Sequence, residues 1–216
     1  MDQHWDHLAT LARRITRDFP DAVFIGGVAV AQHATRHNPA LFESSHDADL
    51  YLSLAGKSEM RDRYEVSRNE RLGKDSALIE GEDFDLYIER QHRLAVTYEE
   101  VFGYAEEVDG VRVAALEHLL VLKLDAARDR WNSAKGEKDV RDLARIVTLL
   151  RSPRVALLKP HLGEERLTVL RDVARQGDVF ERMGINAHDA GRFRRLLKDH
   201  LAQIVRIQGP AHGLSI

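Results

Sequence analysis

Two six-residue stretches constrain this chain more than anything else in it. They are Asp47-Ala48-Asp49-Leu50-Tyr51-Leu52 and Asp83-Phe84-Asp85-Leu86-Tyr87-Ile88. Polar and apolar residues alternate in both with period two, the pattern of a strand that buries one face. Asp47 and Asp49 then leave one face while Ala48, Leu50 and Leu52 take the other. Asp85 leaves its strand alongside Asp83 and Tyr87. If the strands are neighbours, three carboxylates converge. Carboxylates held together repel one another unless a cation lies between them, and Mg²⁺ (or Mn²⁺) takes such oxygens while keeping positions open for substrate phosphates. With 19 Asp in 216 residues, a bare Asp-x-Asp arises by chance about as often as it is seen here, so the weight rests on its setting in strands.

Upstream, Trp5, Leu8, Leu11, Ala12 and Ile15 recur at helical spacing, and that helix should end before Pro20. Ala22-Val23-Phe24-Ile25 reads as a short strand running into Gly26-Gly27. Val28 to His37 reads as a helix closed by Asn38-Pro39. Glycines at a strand-to-helix turn let backbone approach a phosphate, and the free N–H groups at the helix start attract it. An anion seat and a metal seat on successive elements describe a site for a nucleoside triphosphate. Lys57 to Glu70 reads as a charged helix, Ala77-Leu78-Ile79 as a further strand, and Asp109-Gly110 as a hairpin turn.

From Ala115 the period changes. Leu116, Leu119, Leu120, Lys123, Leu124 and Ala127 mark one helix. Val140, Leu143, Ala144, Val147 and Leu150 mark another after the polar link Asn132 to Glu137. Glu164 to Gln176 and His188 to Ile207 continue the helical pattern. The expected architecture is α+β: residues 1–113 form a mixed sheet flanked by helices, and residues 114–216 form a C-terminal helical bundle. Read without a partner, Lys123 is a solvated helix residue and Lys138 to Asp142 a charged helix face. Trp5 and Trp131 read as packing residues rather than platforms for a base.

Composition removes several classes. A 216-residue chain that is 44% hydrophobic can bury a core, and the absence of Cys excludes disulfides, thiolate metal sites and a cysteine nucleophile. The expectation is a soluble cytoplasmic protein with neither a membrane span nor a leader peptide. Charge is uneven: 20 Lys and Arg stand against 28 Asp and Glu over residues 1–150, and 12 against 7 over residues 151–216. The basic end, with Arg192, Arg194, Arg195 and Lys198 in one helical segment, suits a polyanionic acceptor. His33 and His37 are spaced for a shared metal but lack the Glu of a zinc motif, and His46-Asp47 and His188-Asp189 keep a metal phosphohydrolase open as an alternative.

Phe24-Ile25-Gly26-Gly27-Val28-Ala29, Ser45-His46-Asp47-Ala48-Asp49-Leu50 and a later strand carrying Asp85 together resemble the polymerase-β-type nucleotidyltransferase signature. Glu117 to Arg130, followed by Lys138-Asp139-Val140-Arg141-Asp142-Leu143, is similar to the AbiEii-type toxin branch of type IV toxin–antitoxin pairs. The resemblance covers about residues 20–150. It implies a nucleotidyltransferase-like fold and transfer of a nucleoside monophosphate from an NTP to an acceptor. The acceptor would be an RNA such as the 3′ end of tRNA, with a protein or antibiotic hydroxyl as alternatives, and a cognate antitoxin would be a partner. Gly26 and Gly27 would contact phosphate, Asp47 and Asp49 would hold the metal, and Asp85 would be the third carboxylate, activating the acceptor hydroxyl. Lys123 would contact the triphosphate, Asp139 would be the later aspartate, and the Ser45 hydroxyl stands where relatives often have Thr. The chain departs from the pattern in its long segment from Gly27 to Asp47 and in His46. A non-catalytic nucleotide-binding partner is the reading from another class.

Overall fold

A computed structural model describes residues 3–69 and 73–207. The chain divides into two compact units, Met1–Ala115 and Leu116–Ile216.

In the first unit, α1 (Gln3–Asp18) buries Trp5, Leu8, Leu11, Ala12 and Ile15, the stripe that the spacing predicts. β1 (Val23–Ile25) is buried along its whole length and passes at once into α2 (Gly26–His37). β2 (Ala48–Leu52) is followed by α3 (Leu54–Arg63), whose first turn is capped by the Ser53 hydroxyl accepting from Gly56 N. Then come β3 (Val66–Asn69), β4 (Lys74–Ile79) and β5 (Glu82–Ile88). After α4 (Tyr98–Gly103), the hairpin β6 (Glu106–Val108) and β7 (Val111–Val113) completes the unit.

The seven strands form one mixed sheet in the order β3-β4-β5-β2-β1-β7-β6. β1 pairs antiparallel with β2 and parallel with β7, and β2 pairs parallel with β5. The β4–β5 and β6–β7 turns each place two residues at positive φ, Glu80 and Gly81 in one, Asp109 and Gly110 in the other, the backbone twist that tight hairpins favour. Phe24, Leu50, Phe84 and Leu86 are fully or almost fully buried, with Phe24 and Phe84 edge to face. Asp75 lies on this buried face too, where Lys57 Nζ reaches its Oδ2 at 2.7 Å.

Two expectations need correcting. Lys57 to Glu70 is not one helix: α3 stops at Arg63 and the chain turns into the edge strand β3. Asp47 precedes its strand rather than starting it, because β2 begins at Ala48.

The second unit is helical among its described residues. It comprises α5 (Leu116–Arg130), α6 (Ala134–Leu149), the short α7 (Val155–Leu158), α8 (Glu164–Arg175) and α9 (Ala187–Ile207). α9 buries Ala190, Phe193, Leu197, His200 and Ile204, alternating steps of three and four that keep one stripe inward. His200 Nδ1 lies 2.9 Å from the Val147 carbonyl and so satisfies its buried ring. No described helix is long and apolar enough to cross a membrane. The whole is α+β, a nucleotidyltransferase-like mixed sheet flanked by helices and followed by a helical bundle.

Candidate functional site

The register of the sheet builds the candidate site. β2 and β5 run parallel with Asp49 opposite Asp85, while β1 runs antiparallel to β2 with Ile25 opposite Asp49. Ala48, Leu50, Phe84 and Leu86 face the core, so Asp49 and Asp85 emerge together on the other face, each partly exposed. The chain leaves β1 at Ile25, and Gly26 therefore comes directly against Asp49. A Cβ on Gly26 would lie 1.9 Å from Asp49 Oδ2 and 2.8 Å from its Cγ, and Gly26 has φ +69°. Only glycine meets both demands, because positive φ penalises a Cβ and the carboxylate already fills its space.

The residue before α2 is Ile25, which offers no side-chain cap, and the first turn of the helix carries no acidic residue. The helix thus begins without a capping side chain, as an anion seat requires. The glycines are the opening of the helix itself rather than a separate turn ahead of it. Gly27, one step further in, is buried.

Asp47 is exposed. Ser45 is buried, and its hydroxyl donates to the Asp47 carbonyl at 2.8 Å, folding the approach to β2. His46 stacks on His4 with ring centres 5.0 Å apart. Among the described residues, no three or more His, Cys, Asp or Glu are grouped to hold a metal ion. Register therefore unites Asp49 and Asp85, whereas the convergence of all three carboxylates expected from the sequence is absent as a ready-made ligand group.

Lys74 is the residue that the sequence reading missed. Its Nζ lies 2.6 Å from Asp85 Oδ2 and 5.7 Å from the centre of the Tyr87 ring. Burial by itself would lower the Lys74 pKa, but the hydrogen bond to Asp85, together with the charge of Asp85 and the neighbouring Tyr87 phenol, outweighs that effect and raises it. Burial, and then the charge of Asp49, push the Tyr87 phenol up. The signal for Lys74 was present in the alternation of Lys74, Ser76 and Leu78 against Asp75, Ala77 and Ile79, had the strand been started three residues earlier.

Lys123 and Asp139 belong to the second unit. Lys123 is buried, with Nζ 3.0 Å from Asp139 Oδ1 and 2.6 Å from Asp142 Oδ2, the latter an ion pair rather than a well-aligned hydrogen bond. Arg130 Nε donates to Asp139 Oδ2 at 2.5 Å, and Arg145 pairs with Asp142. Lys123 is therefore not solvated, and Asp139 and Asp142 are not a surface face of α6: they are the buried ionic tie between α5 and α6. Burial by itself would raise the Asp142 carboxyl, but Lys123 and Arg145 prevail and hold it down at about 2, below its ordinary 3.8.

Of the histidines singled out in the sequence, His33 takes a structural role. His33 is buried with Nε2 2.9 Å from the Ala114 carbonyl, and its ring stacks against His37 at 5.9 Å. On α9, Asp189 pairs with Arg192 at 3.1 Å, and Arg194 pairs with Glu181, so part of the basic set is already neutralised. Arg192, Arg195 and Lys198 are exposed.

Comparison with solved structures places this fold. The chain is similar to the Megavirus polyadenylate synthase, at 13% identity and TM-score 0.50, over 68% of this chain and 32% of that one. It is also similar to an antigenic nucleotidyltransferase-like protein from Paracoccidioides brasiliensis, at 15% identity and TM-score 0.52, over 90% and 93% of the two chains. A candidate nucleotidyltransferase from H. pylori aligns at 14% identity and TM-score 0.52, over 96% and 97%. The chain thus spans about a third of the viral synthase and nearly all of the other two. At these identities the likeness shows the fold, which is of the nucleotidyltransferase type. No family model and no curated protein matches the chain by sequence.

Proposed function

We propose that the protein is a nucleotidyltransferase that moves a nucleoside monophosphate from an NTP to an acceptor hydroxyl. The observation that carries this reading is the pairing of Asp49 with Asp85 in register, hard against Gly26 at the uncapped start of α2. An anion seat and two carboxylates within one strand spacing are what a triphosphate with its divalent ion needs. Mg²⁺ commonly uses only one or two carboxylates and completes its shell with water and phosphate. The Asp49 and Asp85 pair therefore fits Mg²⁺ (or Mn²⁺); the sequence resemblance adds Asp47 beside Asp49 as a ligand and gives Asp85 the part of third carboxylate. Bound there, the ion would neutralise charge on the triphosphate.

The chain's own groups do the rest. Backbone N–H groups at Gly26 and Gly27 hold the phosphates. Asp85 receives the proton of the acceptor hydroxyl as its oxygen attacks the α-phosphorus, and the bond from that phosphorus to the bridging oxygen breaks to release pyrophosphate. Lys74 holds the Asp85 carboxylate in place through its 2.6 Å contact with Oδ2. Exposed Arg192, Arg195 and Lys198 favour an RNA acceptor such as the 3′ end of tRNA. A toxin role restrained by a cognate antitoxin follows from the sequence resemblance.

Incubation with each α-labelled NTP, Mg²⁺ and total RNA or total protein tests the reading. Label is expected on RNA, falling at least about 100-fold in Asp47→Ala/Asp49→Ala, since the ion contributes several kcal/mol to such transfers. Raising salt should weaken RNA binding steeply. The Lys74–Asp85 pair and the ungrouped third carboxylate favour one second reading, a non-catalytic nucleotide-binding partner. Folded protein that labels nothing, and whose biological effect survives Asp49→Ala, would replace the first reading with the second.

A further inference from the structure

The second unit holds a surface pocket of about 420 Å³ between the turn that joins α5 to α6 and the segment after α8. Its wall includes Trp131, Asn132, Glu137, Gln176 and Arg182. Trp131 is only half-buried, unlike Trp5, which packs in the core of the first unit at 6% exposure. Its indole makes no hydrogen bond or ring contact among the described residues. A partly exposed Trp131 lining a largely polar pocket leaves room for a role beyond the packing that the sequence alone favours for it.

The backbone beneath the ring is fixed. Ser133 caps α6 by accepting from Gly136 N at 3.1 Å, and its hydroxyl donates to the Arg130 carbonyl at 2.7 Å. Gly136 approaches so closely that a Cβ there would lie 2.2 Å from the Arg130 carbonyl oxygen and 2.7 Å from that of Trp131. The platform is therefore preorganised, which lowers the cost of ordering a ligand on it.

The chemistry of the wall selects the ligand. An aromatic face of this kind takes a flat ring. Glu137 forms no ion pair among the described residues, and its carboxylate accepts from amino groups. Arg182 adds a guanidinium to the wall; it also pairs with Asp178 at 3.5 Å, and its remaining N–H groups can donate to a phosphate. Arg182 donates to the side-chain oxygen Oε1 of Gln176, which leaves the Gln176 amide N–H groups as donors. We infer that this pocket binds a nucleotide whose base carries an exocyclic amino group, with the base on Trp131 and its amino group on Glu137. A free mononucleotide and an unpaired nucleotide of single-stranded RNA share this chemistry.

The chain has only two Trp, so Trp5→Phe leaves Trp131 as the sole indole reporter. Titrating that protein with AMP, CMP, UMP, hexaadenylate and hexauridylate should give saturable quenching by the amino-bearing ligands and little by the uridine ones. Hexaadenylate binding without AMP binding assigns the pocket to RNA, and equal binding assigns it to the free nucleotide. Glu137→Gln, at an exposed position, should weaken the amino-bearing ligands alone. Measured by equilibrium dialysis, Trp131→Ala should weaken binding roughly tenfold or more, in line with the loss of one stacked base. The same quenching in an Asp49→Ala background keeps this inference separate from catalysis, because it survives even if transfer is not the function. Quenching that rises linearly without saturation, uridine ligands that bind as well as adenine ones, or Trp131→Ala protein with unchanged affinity would each overturn it.

Discussion

Gly26→Ala is expected to abolish nucleotidyl transfer while leaving a protein that still folds, though less stably. Two costs coincide at this position. An alanine held at φ +69° pays the left-handed penalty of about 1–2 kcal/mol. Its Cβ would also stand 1.9 Å from Asp49 Oδ2 and 3.1 Å from Asp49 Cβ, so the carboxylate and its strand must both shift, an overpacking cost of about 1–3 kcal/mol. At roughly 2–4 °C per kcal/mol for a chain of this size, Tm should fall by about 4–20 °C. Activity should fall further than stability accounts for, because a displacement near 1 Å in a catalytic constellation costs about 100-fold. Gly81→Ala is the matched control. Gly81 has φ +87° with nothing within 4 Å of a Cβ, so it carries the conformational penalty without the clash. Its variant should lose about 1–2 kcal/mol and keep full transfer. Gly26→Ala protein that labels its acceptor as well as Gly81→Ala protein does would remove Asp49 and the start of α2 from the proposed active site.

The parts of this site legible in the sequence are those carried by strand periodicity. Asp49 and Asp85 each sit among residues that alternate cleanly between core and exterior, so the face that each side chain leaves follows from local pattern. Their adjacency depends on β2 and β5, which end at Leu52 and begin at Glu82, pairing in parallel across the chain between them, which no local pattern encodes. β3 was hidden for the opposite reason. An edge strand with Ser67 and Arg68 exposed has one side in water and needs no apolar alternation, so its residues look like a continuation of the charged helix before them. Missing the start of β4 then concealed Lys74. Asp139 and Asp142 were misjudged because three apart on a helix is also the spacing of a solvated charged face. What buries them is a set of cations at Lys123, Arg130 and Arg145, brought together only when α5 and α6 pack.

That buried set yields the second large expectation: Lys123→Met should destabilise the second unit by about 3–5 kcal/mol, the range for removing one partner of a buried ion pair. Asp142 is fully buried and would keep Arg145 and the charge of Lys138, and Asp139 would keep Arg130. Denaturant unfolding followed by helical circular dichroism measures the loss directly. Acid unfolding supplies an independent check whose sign is set by Asp142. Its carboxyl is depressed to about 2 in the folded chain from an ordinary 3.8. The unfolded chain therefore binds the proton first, so this group's contribution is complete above about pH 4 and is lost as pH falls towards 2. Asp142→Asn should remove that acid-sensitive portion, lowering stability at neutral pH while flattening its decline between pH 4 and pH 2. The same Lys123→Met protein separates a structural lysine from a phosphate ligand. A lysine that ties α5 to α6 predicts a large stability loss with NTP affinity intact in the folded fraction, whereas unchanged unfolding with lost NTP affinity would return Lys123 to the triphosphate.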